Sequence, residues 1–164
     1  MTYRGKRLLD LVLTTPVLCA SLPVQAATAL AIRVRMGRPV LFRQQRPGLD
    51  GEPFEMLKFR TMLQPDPERG LVTDADRTTG LGSFLRSTSL DELPQLINVL
   101  RGEMSLVGPR PVQAAELAVH YGPAAAAQYA TVRPGITGLW QVSGRNDTSY
   151  DARVAMDLRY LANP

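Results

Sequence analysis

The apolar segment over residues 8–32 constrains this chain more than any other part of it. Seventeen of its 25 residues are Ala, Val, Ile, Leu or Cys, and Asp10 is its single charge. As a continuous helix it would be roughly 37 Å long, enough to cross the hydrocarbon core of a bilayer. A transmembrane anchor is one reading. A signal peptide is a second, with Arg4-Gly5-Lys6-Arg7 as its basic start and Pro23-Val24-Gln25-Ala26 as its cleavage site. A third is a re-entrant segment that enters the membrane, bends and leaves on the same side; a buried helix of a soluble domain is the plainest alternative.

Three features order these readings. Proline inside a helix deletes a backbone hydrogen bond and clashes with the preceding turn, at a cost of about 3 kcal/mol. Pro16 and Pro23 therefore disfavour a straight span. Arg4, Lys6 and Arg7 stand before the segment and Arg33, Arg35 and Arg38 after it, which by the positive-inside rule puts both ends on the cytoplasmic side. Asp10 in the would-be signal core argues against secretion. The re-entrant reading leads, with the membrane kink at Pro23.

The formal charge of +4 is unevenly spread: residues 1–46 carry a net +7, leaving −3 for the rest of the 164 residues. The length suits one domain. Cys19 and His120 are the only cysteine and histidine, so the chain has no internal disulfide and no Cys- or multi-His metal motif.

Beyond the apolar segment, residues 39–42 and 54–59 read as two strands of a hairpin, joined through Arg46-Pro47-Gly48-Leu49-Asp50-Gly51. Residues 64–80, rich in Asp, Pro, Gly and Thr, read as a loop. Residues 93–100 fit a short helix with Leu93, Leu96, Ile97 and Leu100 on one face. An Ala-rich helix over 112–130 is interrupted at Gly122-Pro123, residues 133–138 are turn-rich, and 150–160 form a final helix. The expected class is α+β. An N-terminal re-entrant, kinked membrane helix with basic flanks (1–38) precedes a small, mostly helical domain with a short β-hairpin (39–164).

The most informative stretch is Arg86-Ser87-Thr88-Ser89-Leu90-Asp91-Glu92-Leu93-Pro94-Gln95. Ser89 and Glu92 have the spacing of a capping box, which needs no function. With Ser89 as N-cap, however, Pro94 would fall where its missing N–H is required; a start at about Asp91 or later puts Pro94 in the first turn, where proline is tolerated. The adjacent carboxylates then sit at the positive end of a helix. Such a pair can bind Mg²⁺, and a carboxylate can attack phosphorus. Capping and chemistry both remain open on these residues alone. Around them lie cations and close-approach glycines suited to phosphate: Lys58, Arg60, Arg86, Gly108-Pro109-Arg110-Pro111, Arg133-Pro134-Gly135 and Arg145. Met104 and Trp140 read as core residues and His120 as a surface or capped one. Neither a Walker A nor a dinucleotide glycine pattern occurs.

Further motifs join these in one order: Lys6-Arg7 with Asp10, Pro23, Phe42-Arg43-Gln44-Gln45-Arg46, Lys58-Phe59-Arg60-Thr61-Met62, then Ser89 to Gln95. Asn98-Val99-Leu100-Arg101-Gly102-Glu103-Met104-Ser105-Leu106-Val107-Gly108-Pro109-Arg110-Pro111 follows, then Arg133-Pro134-Gly135-Ile136-Thr137-Gly138-Leu139-Trp140-Gln141-Val142-Ser143-Gly144-Arg145-Asn146. In these the chain resembles, over nearly its whole length, the bacterial sugar transferases, the monotopic phosphoglycosyl transferases that start lipid-linked glycan assembly. The resemblance implies transfer of a sugar 1-phosphate from a UDP-sugar to polyprenyl (undecaprenyl) phosphate in exopolysaccharide, O-antigen or capsule assembly. Asp91 would attack the phosphorus bearing the sugar, releasing UMP and leaving a phosphosugar on Asp91, which the polyprenyl phosphate then displaces. Asp91 and Glu92 would hold the Mg²⁺ cofactor, and Lys58, Arg60, Arg86 and Arg110 would serve phosphate. Arg133, Gly135, Thr137, Gln141, Arg145 and Asp157 would shape the nucleotide-sugar pocket.

The same resemblance implies a monotopic protein at the cytoplasmic face of the bacterial inner membrane, in contact with membrane lipids, with a homodimer compatible and no nucleic-acid partner. Residues 139–147 with Tyr150-Asp151 look more like transferases for galactose or glucose 1-phosphate than those for diacetamido sugars. Two departures stand out. Leu22 precedes Pro23 where the family has Ser, with Ser21 one position off, and Pro16 is an additional break. Family members also continue past the position of Pro164 into a further apolar, interfacial segment, so this chain reads as a shortened or degenerate member. The competing reading is a non-catalytic, membrane-bound binder of phosphate lipids, which would bind acceptor without releasing UMP.

Overall fold

The computed structural model describes residues 5–143 and 149–162; Arg4 and Arg145 lie outside them. Helix α1 runs Lys6–Arg35, with Pro16 and Pro23 inside it. Beside Pro23 the Ser21 hydroxyl donates to the Leu18 carbonyl at 2.9 Å and accepts from Gln25 Nε2 at 2.9 Å. Among the described residues α1 is the one helix long and apolar enough to cross a membrane. Only 11% of its most apolar stretch is buried, and Leu8, Val12, Val17, Leu22, Leu30 and Val34 are exposed, which argues against a core helix of a soluble domain.

The ends of α1 dock on the rest of the chain. Near its start Lys6, 3.9 Å from Asp10, donates to Ser105 Oγ and, at 2.8 Å, to the Val107 carbonyl. Asp10 accepts from Ser105 Oγ at 2.8 Å and from the Leu106 N–H at 3.0 Å. Arg7 donates to the carbonyls of Val99 and Leu100 at 2.6 and 3.0 Å, a cation at the end of a helix where carbonyls lack i+4 donors. At the far end Ile32 and Met36 form one cluster with Phe59 and Leu85.

Strands β1 (Leu41–Pro47) and β2 (Pro53–Phe59) pair antiparallel, from Leu41 opposite Phe59 to Pro47 opposite Pro53. The hairpin is as expected, but its first strand continues through Pro47 rather than ending at Phe42. A three-residue 3₁₀ turn, Leu49–Gly51, is enough to close it, with Asp50 at φ 56°. The strands differ in burial: β2 places Phe54, Met56, Leu57 and Phe59 inside, while polar β1 forms the edge.

Residues 64–80 are more structured than a loop. They contain a 3₁₀ turn at Pro67–Arg69 and helix α2 (Asp74–Arg77), whose start is a capping box between Thr73 and Asp76. Helix α3 (Gly80–Ser87) follows, unannounced by the sequence pattern. Its Gly82 is the reason it fits: a Cβ there would lie 1.8 Å from the Thr61 carbonyl oxygen. A 3₁₀ turn at Leu90–Glu92 leads into α4 (Gln95–Arg101), with Pro94 at the N-cap. The helix starts late, as Pro94 requires, and Ser89 makes no capping bond, so the capping-box reading does not hold. Of the expected face Leu96 is buried while Leu93, Ile97 and Leu100 are half-buried; the other buried α4 positions are Gln95, Asn98 and Val99. Asn98 is satisfied there: its Nδ2 donates to the Glu55 carbonyl at 2.8 Å and its Oδ1 accepts from the Leu57 N–H at 3.1 Å, tying α4 to β2.

Strand β3 (Ser105–Val107) pairs parallel with β4 (Gly135–Thr137), a sheet the sequence reading lacked. Backbones approach closely here: a Cβ on Gly135 would sit 2.2 Å from the Gly108 nitrogen. The interrupted helix appears as α5 (Ala114–Glu116), a π-helical turn (Leu117–Tyr121) and α6 (Gly122–Tyr129), with Gly122 at φ 67°. Helices α7 (Leu139–Ser143) and α8 (Tyr150–Ala162) follow. Met104 is fully buried, as expected of core.

Candidate active site

Ser89 ends α3 in the left-handed region at φ 57°. This turns the chain into the 3₁₀ segment that carries Asp91 and Glu92 side by side. Both carboxylates line a cleft of about 670 Å³. Lys58 reaches it from β2, Arg86 from the last turn of α3, Arg110 from the segment after β3, and Thr137, Trp140 and Gln141 from β4 and α7. Elements distant in sequence thus converge on two adjacent acids.

Glu92 is held in place. Its Oε1 accepts from Lys58 Nζ at 2.7 Å and from Arg110 Nη2 at 3.2 Å. Burial works to raise its carboxyl, but Lys58 and Arg110 outweigh it and hold Glu92 below the usual carboxylate range. Asp91 is 8% exposed, and burial pushes its carboxyl above the ordinary aspartate range. Lys58 and Arg86 oppose that shift and Glu92 adds to it. Arg86 is oriented by Thr61, whose Oγ1 accepts from its Nε at 2.9 Å. The two acids differ in environment: one is locked between cations, the other is buried at the cleft wall.

The residues named from sequence divide in two. Lys58, Arg86, Asp91, Glu92, Arg110, Thr137 and Gln141 come together at the cleft. Arg60 does not line it: its guanidinium donates to the carbonyls of Met36, Gly37 and Arg38, closing the C-terminal end of α1. Arg133 donates to the Gly102 carbonyl at 2.6 Å, and Gly135 serves the close β3–β4 approach. Asp157, 1% exposed, accepts from the Tyr121 hydroxyl at 2.6 Å and faces the protein interior, not the cleft.

Five cleft residues were not named for it from sequence, among them Ile136 and Val142. Trp140, read as core, is buried yet lines the cleft, with the Arg110 and Arg153 guanidinium carbons 5.7 and 4.7 Å from its ring centroid. Arg153 and Ser89 join it. Nothing in the local pattern marks Arg153, because its place depends on how α8 packs on α7. His120 is exposed and stacks on Tyr150, ring centroids 3.8 Å apart.

The long, exposed apolar α1 thus docks by its ends on a body that carries a cleft of paired acids and converging cations. The profile of the family described as "Bacterial sugar transferase" matches residues 1–164, and the chain belongs to that family. It is 43% identical over 162 residues to the uncharacterized sugar transferase EpsL of Bacillus subtilis, covering 96% of this chain and 78% of the relative. It is 45% identical to the UDP-glucose:undecaprenyl-phosphate glucose-1-phosphate transferase of Caulobacter vibrioides (95% of this chain, 62% of the relative). Identity to the undecaprenyl-phosphate galactose phosphotransferase of Salmonella typhimurium is 40%, over 96% of this chain and 36% of that longer protein.

Proposed function

We propose that this protein transfers a sugar 1-phosphate, galactose or glucose, from a UDP-sugar to undecaprenyl phosphate, releasing UMP, at the cytoplasmic face of the inner membrane. The observation that carries the reading is the buried Asp91 beside a cation-locked Glu92 in a cleft lined by Lys58, Arg86 and Arg110. In the first step an Asp91 carboxylate oxygen attacks the phosphorus bearing the sugar; the bond to UMP breaks and a phosphosugar remains on Asp91. Arg86 and Lys58 stabilise the added charge, and Arg110 with the Trp140 ring borders the space for the departing nucleotide. In the second step a phosphate oxygen of the acceptor displaces Asp91. Asp91 and Glu92 offer the two carboxylates with which Mg²⁺ is typically held beside substrate phosphates, where it would neutralise the diphosphate and improve UMP as a leaving group.

The membrane placement has its own support. Straight, a helix would hold Arg7 and Ile32 about 37 Å apart. Yet Arg7 docks at the C-terminal end of α4, and Ile32 belongs to the cluster that Leu90 and Leu93 join just before that helix begins. Those docking points differ by about 10 Å along α4. A bend at the prolines would reconcile the two lengths and would leave both basic ends, with Lys6 and Arg7 on one and Arg33, Arg35 and Arg38 on the other, on one side of the bilayer. Labelling of cysteines introduced near residues 5 and 35 should find both on the cytoplasmic side; labelling from opposite sides would replace the re-entrant arrangement with a span.

The activity is tested by UMP release from a panel of UDP-sugars with undecaprenyl phosphate and Mg²⁺. We expect release with UDP-galactose or UDP-glucose, a trapped adduct on Asp91, and a fall of at least about 10³-fold in Asp91→Asn. Full turnover in that variant would remove Asp91 from the chemistry, and acceptor binding without UMP release in the unsubstituted protein would make it a non-catalytic lipid binder.

A further inference from the structure

Asp91 borders two cavities. Besides the main cleft, one of about 300 Å³ also reaches Lys58, Arg86 and Asp91. Its remaining wall is mixed: Phe42, Phe59, Met62 and Leu63 give it an apolar face, and Arg60, Thr61, Gln64 and Arg77 supply the rest. Phe42, 44% exposed, forms the rim on β1. Phe59 and Leu63 belong to the cluster that holds Ile32 and Met36, so the cavity lies one layer of side chains from the C-terminal arm of α1. On that arm Leu30 and Val34 are exposed. Arg77 is steadied by its Nε, which donates to the Leu63 carbonyl at 2.9 Å.

In-line displacement specifies what each cavity can hold. UMP leaves from the side of phosphorus opposite the Asp91 oxygen. The incoming acceptor oxygen must later approach from that same side while the bond to Asp91 breaks. The new bond joins two phosphates into a diphosphate and restores the Asp91 carboxylate, with no proton transferred if the acceptor phosphate is a dianion. The acceptor phosphate therefore belongs in the main cleft, where UMP has left. Its hydrocarbon chain needs an apolar exit toward the lipid, and burial of each methylene there adds to affinity.

On the transferase reading above, we propose that the cavity lined by Phe42, Met62 and Leu63 receives the first isoprenyl units of the acceptor, whose phosphate lies in the main cleft near Lys58 and Arg86. The chain then passes over Phe42 toward the bilayer surface beside α1. The UDP-sugar does not enter this cavity, so the two half-reactions depend on it unequally.

The test separates them in the full-length enzyme in lipid nanodiscs. Phe42→Ser and Met62→Ser should leave the single-turnover UMP burst without acceptor within about twofold, while KM for undecaprenyl phosphate rises about tenfold, the loss expected for contact with roughly two methylenes. An unchanged KM, or a burst that falls in step with transfer, would overturn the assignment. No burst in the unsubstituted enzyme would instead sink the transferase reading, and this inference with it. A photoactivatable group on the first isoprenyl units of polyprenyl phosphate gives a measure independent of the variants. It should label the segments around residues 42 and 59–63; labelling of α1 alone, or equal labelling there by a phosphatidyl lipid carrying the same group, would overturn the proposal.

Discussion

Asp91 and Asp157 are both buried aspartates, and burial raises both carboxyls, yet their surroundings separate them. Around Asp91 stand Lys58 and Arg86, with Glu92 as its neighbour and a cleft open on one side. Asp157 has Tyr121 donating to one oxygen, while the other, Oδ1, is buried without a partner. With no cation among the groups that shift it, it is pushed up to about 6. Burial alone therefore does not mark a reactive acid in this protein. What distinguishes the cleft is the group of cations that holds Glu92 low and opposes the rise at Asp91, while leaving Asp91 within reach of a ligand. The Asp157 pair instead joins α8 to the π-helical turn, beside the cluster of Val112, Tyr121 and Tyr129.

The comparison can be broken at either end. Removing the cation is the larger perturbation. Lys58→Gln deletes the ion pair with Glu92 and the largest opposition to the raised Asp91 carboxyl. UMP release should slow on the order of 10²-fold. The acid limb of its pH profile, already above the ordinary Asp value of about 3.9, should move further up; a slower variant with an unmoved limb would show that Lys58 acts only on substrate. The smaller perturbation is Asp157→Asn, which should leave UMP release within about threefold because the site is remote from the reacting atoms. Its signature is in stability. A raised carboxyl favours the protonated native form, so its contribution is complete below the unfolded value of about 3.9 and is lost as pH rises through about 6. That is a loss on the order of 3 kcal/mol, at 1.36 kcal/mol per unit, for this almost fully buried group. In Asp157→Asn the fall in melting temperature between pH 4 and 7 (about the window of that titration) should flatten; an undiminished slope would assign it to other groups.

Legibility in the sequence varied with how local the cause was. The late start of α4 followed from one proline and the break in the Ala-rich segment from Gly122-Pro123, and the final helix lies where it was expected. Helix α3 escaped notice because Gly80 and Gly82 weaken helix propensity. It forms where only a glycine can lie against the Thr61 carbonyl. Strands β3 and β4 are three residues each, too short to show alternation, and they pair across 30 residues of sequence. The burial of Asn98 was hidden for a similar reason, since its partners include the Glu55 carbonyl and the Leu57 N–H of a different strand.

By itself the sequence determined the apolar segment with its two prolines and basic ends, the adjacent acids at Asp91 and Glu92, and the motifs shared with the bacterial sugar transferases. These are written in neighbouring residues and depend on hydropathy, backbone chemistry and spacing alone. Only the tertiary structure decided which cations serve the acids. Lys58, Arg86 and Arg110 meet at the cleft, whereas Arg60 closes α1 and Arg133 braces Gly102. An arginine has the same charge wherever it stands in a sequence; its task follows from the carbonyls or carboxylates that the fold brings within about 3 Å of its guanidinium.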